Sequence, residues 1–100
     1  MNGLQKKLKI KMTANTTQYI TQNCFFKEFK ISNDDEEFEY HLDKTSRFLK
    51  VLNTSDWMFQ FKDVAPQKMT KGMVIHISKK IKHKMIKGTT NLSVQVLEVL

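Results

Sequence analysis

Cysteine occurs once, at Cys24, so the chain can form no internal disulfide and fits a reducing compartment. Glycine occurs three times, too few for a glycine-rich loop that cradles phosphates. Arginine is a single residue, Arg47. No apolar run approaches the roughly 18 residues of a membrane helix, so no membrane partner is expected. The stretch MNGLQKKLKIKM has lysines with no apolar segment behind them, which does not read as a secretory signal; the expected location is the cytoplasm. No serine or cysteine stands in a recognisable nucleophile context, and neither zinc spacing nor an RNA-recognition signature occurs. Acids are missing altogether between Val64 and Leu97.

That acid-free stretch holds Lys68, Lys71, Lys79, Lys80, Lys82, Lys84 and Lys87, and Lys6, Lys7, Lys9 and Lys11 make the N-terminus basic. Six of the ten acids crowd between Asp34 and Asp43. The formal charge of +7 is therefore unevenly spread, which predicts an acidic patch, a broad basic face and an anionic partner. Asp34 to Glu39 lacks the spacing and the glycine of an EF-hand and reads as a solvated loop.

Alternation of period two runs through most of the chain. Leu8, Ile10 and Met12 alternate with lysines. Phe38, Tyr40 and Leu42 alternate with Glu39, His41 and Asp43. Trp57, Phe59 and Phe61 alternate with Met58, Gln60 and Lys62, and Phe48 to Leu52 reads as a buried strand. Turn-formers separate these runs at Ser32–Asp35, Asn53–Asp56, Ala65-Pro66, Lys71-Gly72 and Lys87-Gly88. Eight or nine short strands at regular spacing predict an all-β barrel or sandwich of one domain over residues 1–100, with at most a short helical turn near Asn15 to Gln22. At strand spacing Trp57, Phe59 and Phe61 read as core or dimer contacts rather than a platform for stacked bases. The methionines are gap-fillers, Cys24 is a buried thiol, and His76 faces away from Ile75 and Ile77.

Residues 41–54 and 72–87 carry a resemblance. In the first, His41, Asp43, Arg47 and Thr54 stand at the spacing His, one residue, His, three residues, Glu, six residues, Gly. In the second, Gly72, Ser78, Lys80, His83 and Lys87 stand at the spacing Gly, five residues, Pro, one residue, Gly, two residues, His, three residues, Asn. These are the two motifs of the cupins, small barrels of the double-stranded β-helix type. The tail HKMIKGTTNLSVQVLEV resembles the ending of small cupin-like proteins, some of them phage-encoded. The likeness covers about residues 38 to 100 and implies a cupin-like double-stranded β-helix, at home in a phage or mobile-element accessory protein.

In cupins the motif positions point inward and hold a divalent metal with imidazole and carboxylate ligands. Here the resemblance implies His41, Asp43 and His83 as a metal triad. Arg47 stands where the family has a ligating glutamate; a guanidinium cannot ligate, and its easier role is to pair with Asp43. The reading is thus a small non-catalytic barrel without a cofactor, a homodimer, that binds an anionic, nucleotide-like ligand or a host protein. Arg47, His41 and His83 line its pocket, with Lys82 and Lys84 at the mouth. Two rivals stand beside it. One is a metal-dependent enzyme that uses a divalent transition metal on His41, Asp43 and His83. The other is a nucleic-acid binder that uses the lysine face Lys68, Lys71, Lys79, Lys80, Lys82, Lys84 and Lys87.

Overall fold

The computed structural model describes residues 16–99; the expected N-terminal strand around Leu8 to Met12 and the four N-terminal lysines lie outside the described residues. Eight strands follow in chain order: β1 (Thr16–Tyr19), β2 (Cys24–Phe29), β3 (Ser46–Val51), β4 (Met58–Phe61), β5 (Gln67–Lys68), β6 (Val74–Ile77), β7 (His83–Ile86) and β8 (Leu92–Val99). They form two antiparallel sheets, one ordered β1-β2-β8-β3-β6 and the other β5-β4-β7. No helix among the described residues is long and apolar enough to cross a membrane.

Alternation explains which residues face inward. In β8, Leu92, Val94 and Val96 are buried while Ser93, Gln95 and Leu97 point outward. The register carries this pattern sideways, because Val96 lies opposite Phe25 of β2 and Leu49 of β3. The smaller sheet contributes Phe59 and Met85, paired across β4 and β7, and the loops beside it add Trp57 and Met69. One apolar core between the sheets results. Trp57 and Phe59 are fully buried core residues, and Met69 and Met85 fill gaps beside them. Cys24 is only half-buried, because β2 turns Phe25 inward and leaves the thiol on the opposite face.

Three local expectations change. Residues 16–19 form no helical turn; they pair with Phe25–Glu28 as the first hairpin of the larger sheet. The helical turn of the described residues is a 3-10 turn at Glu36–Phe38, inside the segment read as a solvated loop and as the start of a strand. Asp35 caps it, its carboxylate accepting from the Glu37 N–H at 2.9 Å. Phe38 leaves the alternating pattern to pack against Phe29 and Trp57, at 6.5 and 5.5 Å between ring centroids. Phe48 is 41% exposed, so β3 buries only Leu49 and Val51 of the run expected to be internal.

Two of the lysines lie beside the acidic segment. Lys87 Nζ donates to the Ile31 carbonyl at 3.0 Å and lies 3.8 Å from Asp34. Lys84 stands over the Tyr40 ring at 4.7 Å.

Candidate metal centre

The turn at Glu36–Phe38 leads the chain across the end of the barrel to an isolated bridge between His41 and His83, which exchange backbone hydrogen bonds at 3.1 Å in both directions. This bridge places the two imidazoles 4.4 Å apart between centroids, at 61° to each other. His83 belongs to β7, is 1% exposed, and stacks on Phe59 at 5.5 Å. Asp43 follows His41 by two residues and turns the same way. Glu37, from the turn, reaches the same point.

The four side chains converge. His41 Nε2 lies 2.8 Å from Glu37 Oε2 and 3.4 Å from Asp43 Oδ1. His83 Nε2 lies 3.1 Å from Asp43 Oδ2. One ligand atom from each of Glu37, His41, Asp43 and His83 fits within 4.8 Å of all the others. The four donor atoms lie close enough together for side-chain adjustments to bring them onto one cation, which they would hold through two imidazoles and two carboxylates.

The second nitrogen of each ring shows the same design. His41 Nδ1 lies 2.7 Å from the Glu39 carbonyl and His83 Nδ1 3.0 Å from the Ile81 carbonyl. A carbonyl only accepts, so both Nδ1 atoms carry hydrogen, and in the neutral rings the Nε2 lone pairs point into the cluster. His41 Nε2, His83 Nε2 and Asp43 Oδ2 are buried and make no hydrogen bond. Their contacts within the cluster, including that of His41 Nε2 with Glu37, are at ion-pair distance. Buried polar atoms that meet only in ion-pair contacts, aimed at one point, are what a bound cation satisfies.

The electrostatics agree. Arg47 lies between Asp43, 3.4 Å from Nε, and Glu98, 3.4 Å from Nη2, while Thr45 also donates to Glu98 at 2.9 Å. Lys27 pairs with Asp35 at 3.4 Å. Arg47 is shared between Asp43 and Glu98, and Lys27 pairs with Asp35, so the carboxylates of Asp35, Glu37, Asp43 and Glu98 face two cations and exceed them by two charges when both imidazoles are neutral. Two negative charges are balanced by two imidazolium protons or by one divalent cation.

Burial raises the pKa of Glu37, against the opposing pull of His41. Burial alone would also raise Asp43, but the contact with His83 and the charges of Arg47, His83 and His41 outweigh it and hold the carboxyl below its ordinary value. Burial alone would lower His83; the Asp43 contact, the bond to the Ile81 carbonyl and the charges of Asp43 and Glu37 outweigh it and raise the imidazole.

No family model and no curated protein matches the sequence. Solved structures do match. A cupin-2 domain protein from Shewanella frigidimarina is 17% identical over 97% of this chain and 92% of its own, with a TM-score of 0.61. An RmlC-like cupin family protein with a double-stranded β-helix fold from Methanocaldococcus jannaschii is 11% identical over 87% and 81%, with a TM-score of 0.62. A cupin domain from Bordetella pertussis is 13% identical over 86% and 92%, with a TM-score of 0.59.

The chain has the cupin fold.

Set against the cupin motifs, His41, Asp43 and His83 come together although the first two lie outside any regular strand. Arg47 takes the position of the cupin glutamate and pairs with Asp43 and Glu98. The second carboxylate of the cluster comes instead from Glu37, ten residues earlier. Sequence reasoning missed Glu37; the signal was Asp35 as the cap of a short turn that holds Glu37 and ends before His41.

Lys82 and Lys84 flank His83 in sequence, but alternation turns them away from the interior, Lys84 onto Tyr40. On the outer face of the smaller sheet, Lys68 lies opposite Met58 and Lys84 opposite Gln60, with Lys62 bonded through its backbone to Lys82. Lys71 is exposed in the turn before β6, and Lys79 and Lys80 in the loop before β7, where their amides bond Ser46 Oγ and Ser78 Oγ. Lys87 is drawn to Asp34 and the Ile31 carbonyl. His76 is exposed and packs on Phe48 at 4.8 Å.

Proposed function

We propose that this small cupin-fold chain binds a divalent transition metal through Glu37, His41, Asp43 and His83. The observation that carries the reading is the set of buried Nε2 and Oδ2 atoms without hydrogen bonds that converge on one point. Two imidazoles with two carboxylates suit iron, manganese, nickel or zinc better than calcium or magnesium. When bound, the ion supplies Lewis acidity and lowers the pKa of its water. His41 and His83 hold the cation's nitrogen side, their tautomers fixed by the Glu39 and Ile81 carbonyls. Asp43 is oriented by Arg47, and Arg47 by Glu98.

The cavity beside the cluster favours an ion over a nucleotide-like ligand. It measures about 40 Å³ and is walled by Phe25, Phe29, Phe59 and Met85 with Glu37, Asp43 and Arg47. That is room for two or three waters. Its lining sets the carboxylates of Glu37 and Asp43 against the cations of Lys27 and Arg47, so it offers an anion no surplus of positive charge.

The test starts from protein stripped with a chelator. Native mass spectrometry and calorimetric titration with zinc, nickel, manganese and iron(II) should show one ion per chain, and His83→Ala should abolish uptake while circular dichroism stays β. A stripped protein that takes up none of the four ions overturns the reading.

A second reading keeps one specific observation. Lys62, Lys68, Lys82 and Lys84 share the outer face of the smaller sheet, without an acid among the paired residues of its strands. Such a stripe suits a nucleic-acid backbone, and binding through it would weaken steeply with salt. Lys82→Glu with Lys84→Glu should remove that binding and leave metal uptake unchanged.

A further inference from the structure

Three loops leave the smaller sheet at one end. Phe61 ends β4 and lies opposite His83, which begins β7, and His41 is bridged to that same His83. The segments after Phe61, before His83 and after His41 therefore lie side by side, and the Lys62 amide bonds the Lys82 carbonyl across two of them. Each carries a large aliphatic side chain in solvent: Leu42 is 52% exposed, Val64 56% and Ile81 47%.

Lysines surround these three residues. Lys44, Lys62, Lys79, Lys80 and Lys82 are exposed on the same loops, against one exposed acid, Asp63. Among the described residues none of these five lysines makes an ion pair or a ring contact. Lys27, Lys84 and Lys87, by contrast, are engaged by Asp35, the Tyr40 ring and Asp34.

The combination decides what this end can meet. Exposed aliphatic side chains gain by leaving water, and free lysines gain beside negative charge. A nucleic acid would use the lysines but leave Leu42, Val64 and Ile81 in water, because they offer no ring on which a base stacks. A protein partner would have to match the shape of three separate loops with close packing. A fluid anionic bilayer needs no such match. It takes aliphatic side chains at the boundary of headgroups and acyl chains, and its surface potential draws lysines among the headgroups. Such docking needs no membrane-spanning helix.

We infer that this end of the smaller sheet docks on an anionic lipid surface, with Leu42, Val64 and Ile81 in the boundary layer and the five lysines among the headgroups. The metal is not needed for it. Lys62 and Lys82 also belong to the stripe that suits nucleic acid, and the aliphatic residues tell the two apart.

Co-sedimentation of the full chain with vesicles tests it, phosphatidylcholine alone against phosphatidylcholine with about a third phosphatidylserine. The chain should pellet with the second and not with the first, and added salt should weaken the binding. Val64→Ser with Ile81→Ser leaves the charge unchanged and should weaken it at least about tenfold. Lys79→Glu with Lys80→Glu should do the same. Lys68→Glu with Lys71→Glu makes an equal change of charge away from these loops, beside the start of β4 and before β6, and should weaken it far less. Circular dichroism should stay β in all three variants. A chain that ignores the anionic vesicles overturns the inference, also where it binds an oligonucleotide or an acidic peptide instead. So does binding that survives the two serines, or that falls equally with either pair of glutamates.

Discussion

Arg47 places a permanent cation beside a cluster that otherwise attracts cations. Its Nε lies 3.4 Å from Asp43 Oδ2, the oxygen that also faces His83. A unit charge about 5 Å from another is worth about 3 kcal/mol at an effective dielectric of about 20, and double that against a divalent ion, less the part offset by Glu98. Arg47→Met removes the repulsion and keeps most of the volume. It should tighten metal binding at least tenfold in a calorimetric titration. The same change strips Asp43 and Glu98 of their partner, so the stripped variant should melt below the stripped wild type. Looser binding in Arg47→Met would mean that orientation of Asp43 matters more than charge.

The titrating residues give that site a pH dependence with a definite sign. His83 and Glu37 have raised pKa values in the folded protein, so the folded state favours their protonated forms. The stability they contribute is present below their unfolded values and is lost as pH rises through the folded ones. Asp43 is lowered, so its contribution is present above its unfolded value and is lost as pH falls through the folded one. Metal-free protein should therefore melt at progressively lower temperature as pH rises past about 6.5, the ordinary histidine value. Metal binding must displace the His83 proton, so metal affinity should climb over the same interval. Melting curves of stripped and loaded protein between about pH 5 and pH 9 read both limbs.

Among the elements, the connection from β7 to β8 fixes the entry to the longest strand. Asp56 accepts from the Thr89 amide at 2.7 Å and the Thr89 hydroxyl at 2.8 Å, which holds its carboxyl below the ordinary range, and the Trp57 indole donates to the Thr90 carbonyl. Gly88 lies against this clasp: a β-carbon there would stand 2.3 Å from Asp56 Oδ1 and 2.8 Å from the Trp57 backbone nitrogen. The carboxylate can move, but the backbone cannot. Gly88→Ala should cost about 1–3 kcal/mol, seen as a shift of the urea midpoint at unchanged slope. Lys87-Gly88 was legible in the sequence as a turn, and so were most strands, because alternation survives when only one face of a sheet is buried. The turn at Glu36–Phe38 was not. Its residues are acidic and only Phe38 packs, so hydrophobic period carries no trace of a helix there. The site shows the same division. His41, Asp43 and His83 were legible through their resemblance to the cupin motifs; Glu37 depends on a turn whose signal is the Asp35 cap.

At the scale of the molecule, metal, charge and fold are linked. The cluster joins β7 to the segment that crosses the barrel end, and β7 belongs to the smaller sheet. An ion held by Glu37, His41, Asp43 and His83 therefore ties two distant stretches of a short chain, residues 37–43 and β7. Neither stretch alone completes the site once the chain unfolds, so binding free energy becomes folding free energy. At a free metal concentration 100 times the dissociation constant, the gain is about 2.7 kcal/mol. For a domain of about 100 residues each kcal/mol moves the melting temperature by about 4–8 °C, so the loaded protein should melt about 10–20 °C above the stripped one. The increment should grow with the logarithm of free metal concentration and vanish in His83→Ala. A melting temperature that ignores metal in the wild type, with the ion bound in mass spectra, would place it on the unfolded chain or the surface and not across the barrel end.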